Sequence, residues 1–185
     1  MINVNDFKTG MTISYEGNLY QVLEFQHVKP GKGAAIVKAK LKNLRTGSIV
    51  EQTFNAGVKV AQGHVEKIKM QYLYESSGNY TFMNMNTYEQ VELSQSQIEN
   101  EAKFLKEGLE VLIFFYEGEM LGIELPEKID YKIIATEPAI KGNTATNATK
   151  DATIETGLLV RVPLFIEQDE EIIVSTKDGK YVSRK

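Results

Sequence analysis

The sequence predicts an all-β protein, and three observations carry that expectation. Apolar and polar residues alternate with a period of two over much of the chain. Turns rich in Gly and Asn recur at short intervals between those runs, and only one stretch carries a helical start signal. A composition of 42% hydrophobic and 25% charged residues is that of a folded globular protein. No apolar run approaches the length of a membrane span, about 18 residues. The start, Met1-Ile2-Asn3-Val4-Asn5-Asp6, has neither the basic end nor the apolar centre of an export signal. Cysteine is absent, which removes disulfides, thiolate nucleophiles and cysteine-bound metals and suits a cytoplasmic protein.

Taken in order, Thr12-Ile13-Ser14-Tyr15 and Leu19 to Phe25 read as a hairpin closed by Glu16-Gly17-Asn18. Ala34 to Leu44 places Ile36, Lys38, Lys40 and Lys42 on one parity and Val37, Ala39 and Leu41 on the other, a strand with one wet, positive face. Arg45-Thr46-Gly47-Ser48 turns it into Ile49 to Phe54. Several short strands in so few residues suit a small SH3-like barrel. Strands follow at Val65 to Tyr74, Tyr80 to Met83 and Tyr88 to Leu93. Ser94 with Gln97 forms a capping-box pattern, and Leu93 with Ile98 fits a hydrophobic staple. A helix is therefore expected from Gln95 to about Glu107, stopped by Gly108. Leu109 to Tyr116 and Met120 to Leu125 are strands around Glu117-Gly118-Glu119, and strands interrupted by one short helix describe an OB-fold.

The last third echoes the middle. Glu66-Lys67-Ile68 recurs as Glu127-Lys128-Ile129, and Gly108-Leu109-Glu110-Val111 as Gly157-Leu158-Leu159-Val160, a loose duplication. Lys141 to Lys150 is polar and reads as a long exposed loop on a second OB-like barrel. Three domains are expected: 1–62, 63–126 and 127–185.

The net charge of -4 conceals a segregation. Residues 1–62 hold eight Lys/Arg against four Asp/Glu, residues 63–126 four against eleven, and residues 127–185 nine against ten. Lys29, Lys32, Lys38, Lys40, Lys42 and Arg45 fall between Glu24 and Glu51 with no acid among them. Such a field attracts a phosphate backbone, although a solvated lysine face on an edge strand has the same pattern.

Enzyme chemistry finds little support. His27 and His64 lack metal-ligand spacing, and no Gly-x-Ser-x-Gly elbow is present. Gly31-Lys32-Gly33 lacks the spacing of a phosphate-binding P-loop. A carboxylate pair among the acids of 63–126 is the remaining enzymatic reading, an acid/base enzyme. Pro30-Gly31-Lys32-Gly33 is more informative. Pro30 stiffens the approach, and Gly31 and Gly33 allow positive φ on both sides of Lys32. One long cation is left at a hairpin tip with bare backbone around it. A plain turn that contains a lysine satisfies the same geometry.

Val28-Lys29-Pro30-Gly31-Lys32-Gly33-Ala34-Ala35 resembles the loop of the bacterial translation elongation factor P family. The resemblance extends to Asn5-Asp6-Phe7, Leu44-Arg45-Thr46-Gly47, Met70-Gln71-Tyr72-Leu73-Tyr74, Thr156-Gly157 through Val162-Pro163-Leu164-Phe165, and Gly179-Lys180-Tyr181-Val182-Ser183-Arg184. It implies an SH3-like (KOW-type) barrel followed by two OB-fold barrels in an elongated L-shaped arrangement that mimics tRNA. It also implies a cytoplasmic, monomeric, non-enzymatic factor without metal or cofactor. Such a factor binds both ribosomal subunits beside the peptidyl-tRNA and promotes peptide bond formation at stalled polyproline sequences.

By the same resemblance Lys32 is the position extended by a lysine-modifying enzyme and meets the acceptor end of the peptidyl-tRNA. Pro30, Gly31 and Gly33 shape its loop. Lys29, Lys38, Lys40, Lys42 and Arg45 are expected to face RNA, and Tyr181 and Arg184 match positions that contact tRNA or rRNA. Gly142-Asn143-Thr144 matches a loop that reads the exit-site mRNA codon, often written Gly-Asp-Thr. Asn143 both donates and accepts where the acid only accepts. Lys150-Asp151-Ala152 replaces a common Lys-Pro-Ala and is expected to leave a less rigid turn. The alternative from another class is a generic OB-fold binder of single-stranded nucleic acid, which requires aromatic and basic residues interleaved on one face. The aromatic residues Tyr72, Tyr74, Tyr80 and Phe82 fall in the acidic middle segment, away from the lysines.

Overall fold

The computed structural model describes residues 1–138 and 148–185. The described residues form an all-β fold of three sheets joined by turns, as the alternation requires.

The first sheet contains β1 (Ile2–Asn3), β2 (Thr12–Tyr15), β3 (Asn18–Val28), β4 (Ile36–Asn43), β5 (Ile49–Asn55) and β6 (Lys59–Gln62), in the order β1-β6-β2-β3-β4-β5. The β2–β3 connection is tighter than the expected three-residue turn, because Tyr15 already pairs with Asn18. Glu16 and Gly17 both take positive φ, 49° and 76°, which matches a two-residue turn to the twist of the strands. Strand β4 alternates as expected: Val37, Ala39, Leu41 and Asn43 are buried, while Lys38 and Lys42 are exposed. Its inner face joins Val4, Phe7, Ile13, Val22, Phe54 and Val60 in one core. Phe7 and Tyr15 meet Phe54 edge-on, with ring centroids 5.7 and 5.1 Å away. Gly63, directly after β6, is a close-approach glycine. A Cβ there would lie 2.8 Å from Leu19 Cδ1 and 3.1 Å from Thr12 Cγ2.

The second sheet contains β7 (Glu66–Ser76), β8 (Asn79–Asn84), β9 (Gln90–Ser94), β10 (Glu110–Tyr116) and β11 (Glu119–Glu124), in the order β11-β10-β7-β8-β9. The expected helix does not form. Two short 3-10 turns, Gln95–Gln97 and Ala102–Phe104, take its place. The start signal is nonetheless real: the Ser94 N–H donates to Gln97 Oε1 at 2.9 Å, and Leu93 and Ile98 are fully buried. What is missing is an apolar stripe beyond Ile98. The next large buried residues are Phe104 and Leu105, and three of the four residues after Ile98 are Glu or Asn, so no continuous helical face can be buried. A short helix without such a face is marginal in water. Gly108 still takes the positive φ expected of it, 84°.

The third sheet contains β12 (Lys128–Thr136), β13 (Thr149–Ile154), β14 (Leu159–Pro163), β15 (Glu171–Ser175) and β16 (Tyr181–Arg184), in the order β14-β13-β12-β15-β16. Numbered from the first strand of each set of five, both sheets run third, second, first, fourth, fifth. The Glu-Lys-Ile echo opens the first strand of each set. The glycine echo is not equivalent, because Glu110 begins a fourth strand and Leu159 a third. Its two members share only a turn glycine of positive φ ahead of a strand. Most of the loop expected over 141–150 lies outside the described residues, and its last two positions are not loop. Thr149 and Lys150 belong to β13, where Lys150 is 4% exposed, and Lys150-Asp151-Ala152 is strand rather than turn. The alternation of β13 turns Lys150, Ala152 and Ile154 inward. Asp151 instead faces Arg161 across the ladder, with an ion pair of 2.9 Å. The core of this sheet includes Phe104, whose carbonyl accepts the phenolic hydrogen of the fully buried Tyr131. Burial raises the pKa of that phenol, so it remains a donor.

The chain divides into two compact units, Met1–Lys67 with Ile113–Gly122, and Ile68–Leu112 with Ile123–Lys185.

Candidate functional site

The β3–β4 ribbon builds the site. The pair Val28 and Ile36 closes a seven-residue loop, Lys29 to Ala35, and Lys29 through Ala34 are all exposed. Among the described residues, neither Lys29 nor Lys32 has an acidic partner within 4.0 Å. Lys32 is thus an exposed lysine in the loop that closes the ribbon. Of the two glycines beside it only Gly33 has a positive φ, 112°, and a Cβ there would sit 3.8 Å from Pro30 Cγ. Gly31 is outside that region and a Cβ on it would meet nothing within 4 Å. The expectation of positive φ on both sides is corrected, since one left-handed residue is enough to return the chain. Gly31→Ala is expected to change stability by no more than about 0.5 kcal/mol. Gly33→Ala should strain the turn by about 1–2 kcal/mol and displace Lys32. Parallel urea melts of the two variants check the contrast.

The lysine face of β4 is less uniform than the sequence suggests. Register places Glu24 on one side of Lys40 and Glu51 on the other. These are the two acids that bound the acid-free stretch in sequence, so the folding of the sheet returns them to its middle. Cross-strand pairs of opposite charge stabilise a sheet modestly. Lys38 faces Gln26 and Thr53, and Lys42 faces Gln21 and Ile49, so these two remain unopposed in the sheet. A shallow groove lies here, lined by Glu24, Gln26, Lys38, Lys40, Glu51 and Thr53 among others.

Arg45 is not a free cation. Its guanidinium donates to Glu119, at 3.3 Å from Nη2 to Oε2, and to the Gly17 carbonyl at 3.4 Å. Arg184 is also engaged, donating to Glu170 Oε1 at 3.0 Å while stacking 4.8 Å above the Phe165 ring. Tyr181 is half-buried against the core of the third sheet. Gly142, Asn143 and Thr144 lie outside the described residues. The structure therefore brings together Lys29, Lys32, Lys38 and Lys42 on one ribbon, while Tyr181 and Arg184 belong to the other compact unit. It adds one group that charge counting missed: His27, exposed two residues before Lys29, with its ring edge-on to Phe25 at 5.8 Å. Only its position next to the loop signals it.

The aromatic residues of the second sheet mostly pack inward. Tyr72 meets Tyr80 at 6.0 Å and Phe82 at 5.5 Å, which does not make a stacking platform for bases. Among the described residues no cluster of His, Asp and Glu could hold a metal, and no helix is long and apolar enough to cross a membrane.

Comparison with known proteins agrees with this architecture along the chain. Three family models match in succession: the elongation factor P (EF-P) KOW-like domain over residues 3–60, the elongation factor P (EF-P) OB domain over 65–123, and the elongation factor P C-terminal domain over 129–184. Among solved structures, the eukaryotic translation initiation factor 5A from Methanococcus jannaschii aligns with a TM-score of 0.54 at 23% identity, covering 67% of this chain and 93% of that one. A translation initiation factor eIF-5A family protein from Naegleria fowleri aligns with a TM-score of 0.50 at 16% identity, covering 67% and 96%. At those identities the two likenesses speak for the fold. The three consecutive matches, in an order that mirrors the three sheets, speak for more: the chain is a translation factor and belongs to the elongation factor P family.

Proposed function

We propose that this translation factor binds the ribosome beside the peptidyl-tRNA and promotes peptide bond formation where consecutive prolines stall it. Lys32 is the working group, lengthened by a modifying enzyme. The observation that carries the reading is the tip itself: an exposed lysine without an acidic partner among the described residues, on a seven-residue loop that closes on a paired ribbon. A cation held there can fix a phosphate backbone in one pose. Orientation of reactants lowers barriers by up to about 7–11 kcal/mol in well-placed cases. In this reading the ribosome supplies the chemistry and the factor supplies position. Residues 1–62 face RNA through Lys29, Lys38 and Lys42, and 63–126 and 127–185 are the two OB modules. The assignment of Gly142 to Thr144 to the exit-site codon rests on resemblance alone.

Intact mass measurement of the natively expressed protein, followed by sequencing of the peptide containing Lys32, tests the modification. An added mass on Lys32 is expected, and an unmodified Lys32 in active protein would remove the covalent arm from the proposal. Ribosome binding should weaken with salt. With three or four phosphate contacts the slope of log affinity against log salt is expected near about -3, and Lys38→Ala should reduce it by about one. A flat titration would exclude an RNA-facing ribbon.

A further inference from the structure

Arg45 lies in the turn from β4 to β5, at the end of the β3–β4 ribbon opposite the lysine loop. The turn fixes its backbone. Asn43 is 8% exposed, and its Oδ1 accepts from the N–H groups of Arg45 at 2.9 Å and Thr46 at 3.1 Å. From that fixed point the guanidinium ties two further turns. Nη1 donates to the carbonyl of Gly17, in the turn from β2 to β3, at 3.4 Å. Nε and Nη2 donate to both carboxylate oxygens of Glu119, at 3.3–3.4 Å. Glu119 opens β11, directly after the Glu117-Gly118 turn. Three turns distant in sequence thus share one cation, and the carboxylate beside it offsets the field that would draw a phosphate.

This tie is one of two joints inside a compact unit that groups Met1–Lys67 with Ile113–Gly122. The other joint is packing. A Cβ on Gly63 would lie 3.7 Å from Tyr116 Cε2, and the Lys67 ammonium lies 5.2 Å from the centroid of the Phe114 ring. A single joint would act as a pivot, whereas two hold the first sheet at one angle on the β10–β11 hairpin. Leverage makes that angle matter. From the pair Tyr20–Asn43 to the pair Val28–Ile36 the ribbon advances eight residues, about 25 Å. A tilt of about 5° at the base would carry the far end through about 2 Å, and misplacement by about 1 Å can cost about a hundredfold in rate. We propose that Arg45 is a positioning residue: with Glu119 it braces the base of the ribbon on the hairpin and so aims Lys32, and it does not itself bind RNA. The proposal rests on the ribosomal reading above.

The test compares Arg45→Glu, Glu119→Arg, Glu119→Ala and the charge-swapped double variant in translation of a template with consecutive prolines. Either reversal should slow the stalled step at least about fivefold, and Glu119→Ala about threefold. The swap should return it to within about twofold of the parent, because the tie is rebuilt with its partners exchanged. An RNA contact at Arg45 predicts the opposite sign at Glu119. There Glu119→Arg and Glu119→Ala would free the guanidinium and leave the step as fast as in the parent or faster, while the swap would stay slow. Either of those results overturns the brace, and so does parental speed of Arg45→Glu. The pair is partly exposed, so each variant should keep Tm within about 4 °C of the parent. If a reversal unfolds the chain, Glu119→Ala, which adds no like charge, decides between the two outcomes. A parent chain that itself gives no relief of stalling overturns the ribosomal reading and the brace with it.

Discussion

Lys32→Ala and Lys32→Arg are both expected to fold as the parent does and to lose the relief of stalling at consecutive prolines. The side chain is exposed and has no acidic partner among the described residues, so its removal should change stability by no more than about 0.5 kcal/mol. Arginine retains the charge but offers a guanidinium where a modifying enzyme needs an amine, so it separates charge from covalent extension. In a reconstituted translation assay on a template with consecutive prolines, both variants should slow the stalled step at least about tenfold, equivalent to about 1.4 kcal/mol of barrier. Templates without such a run should translate at the parental rate. Full activity of Lys32→Ala would end the proposed mechanism, and full activity of Lys32→Arg alone would leave the charge essential and the extension dispensable.

The largest effect on stability is expected at Gly63. Alanine there would put its methyl group 2.8 Å from Leu19 Cδ1 and 3.1 Å from Thr12 Cγ2, and Leu19 is 1% exposed, so neighbouring side chains must shift within the interior. A retreat of the backbone would stretch the hydrogen bond that the Gly63 N–H donates to the Thr12 carbonyl at 3.0 Å. Overpacking of this kind costs about 1–3 kcal/mol. With a urea slope of about 1–3 kcal/mol/M, the unfolding midpoint should fall by roughly 1 M. Gly122→Ala is the matched control, since its Cβ meets nothing within 4 Å and should leave the midpoint nearly unchanged. Equal midpoints for the two variants would contradict the packing around Gly63.

What could be read from the sequence was what short-range physics decides. The parity of β4 and the turn at Glu16-Gly17 follow from steric rules acting over a few residues. So does the tip at Lys32, which needs no distant partner. The helix after Ser94 failed for the complementary reason. A capping box settles only one turn, while continuation depends on whether an apolar face can be buried, and that is a tertiary matter. The partners of the cations were equally out of reach. Arg45 finds Glu119 across 74 positions, and Lys40 finds Glu24 and Glu51 only once three strands are in register. Tyr88, with a φ of 61°, was read as an ordinary strand residue because a positive φ leaves no compositional trace when the residue is not glycine.

The register that pairs Val28 with Ile36 also sets how far the tip can reach. Lengthening the loop by two residues would add up to about 6–7 Å of chain, but every added peptide would also add freedom to be lost on binding. A group attached to the end of Lys32 gains comparable distance with no change in the ribbon. Relatives could then differ in reach without differing in backbone, with the span determined after synthesis by an enzyme and the anchoring point by the strands.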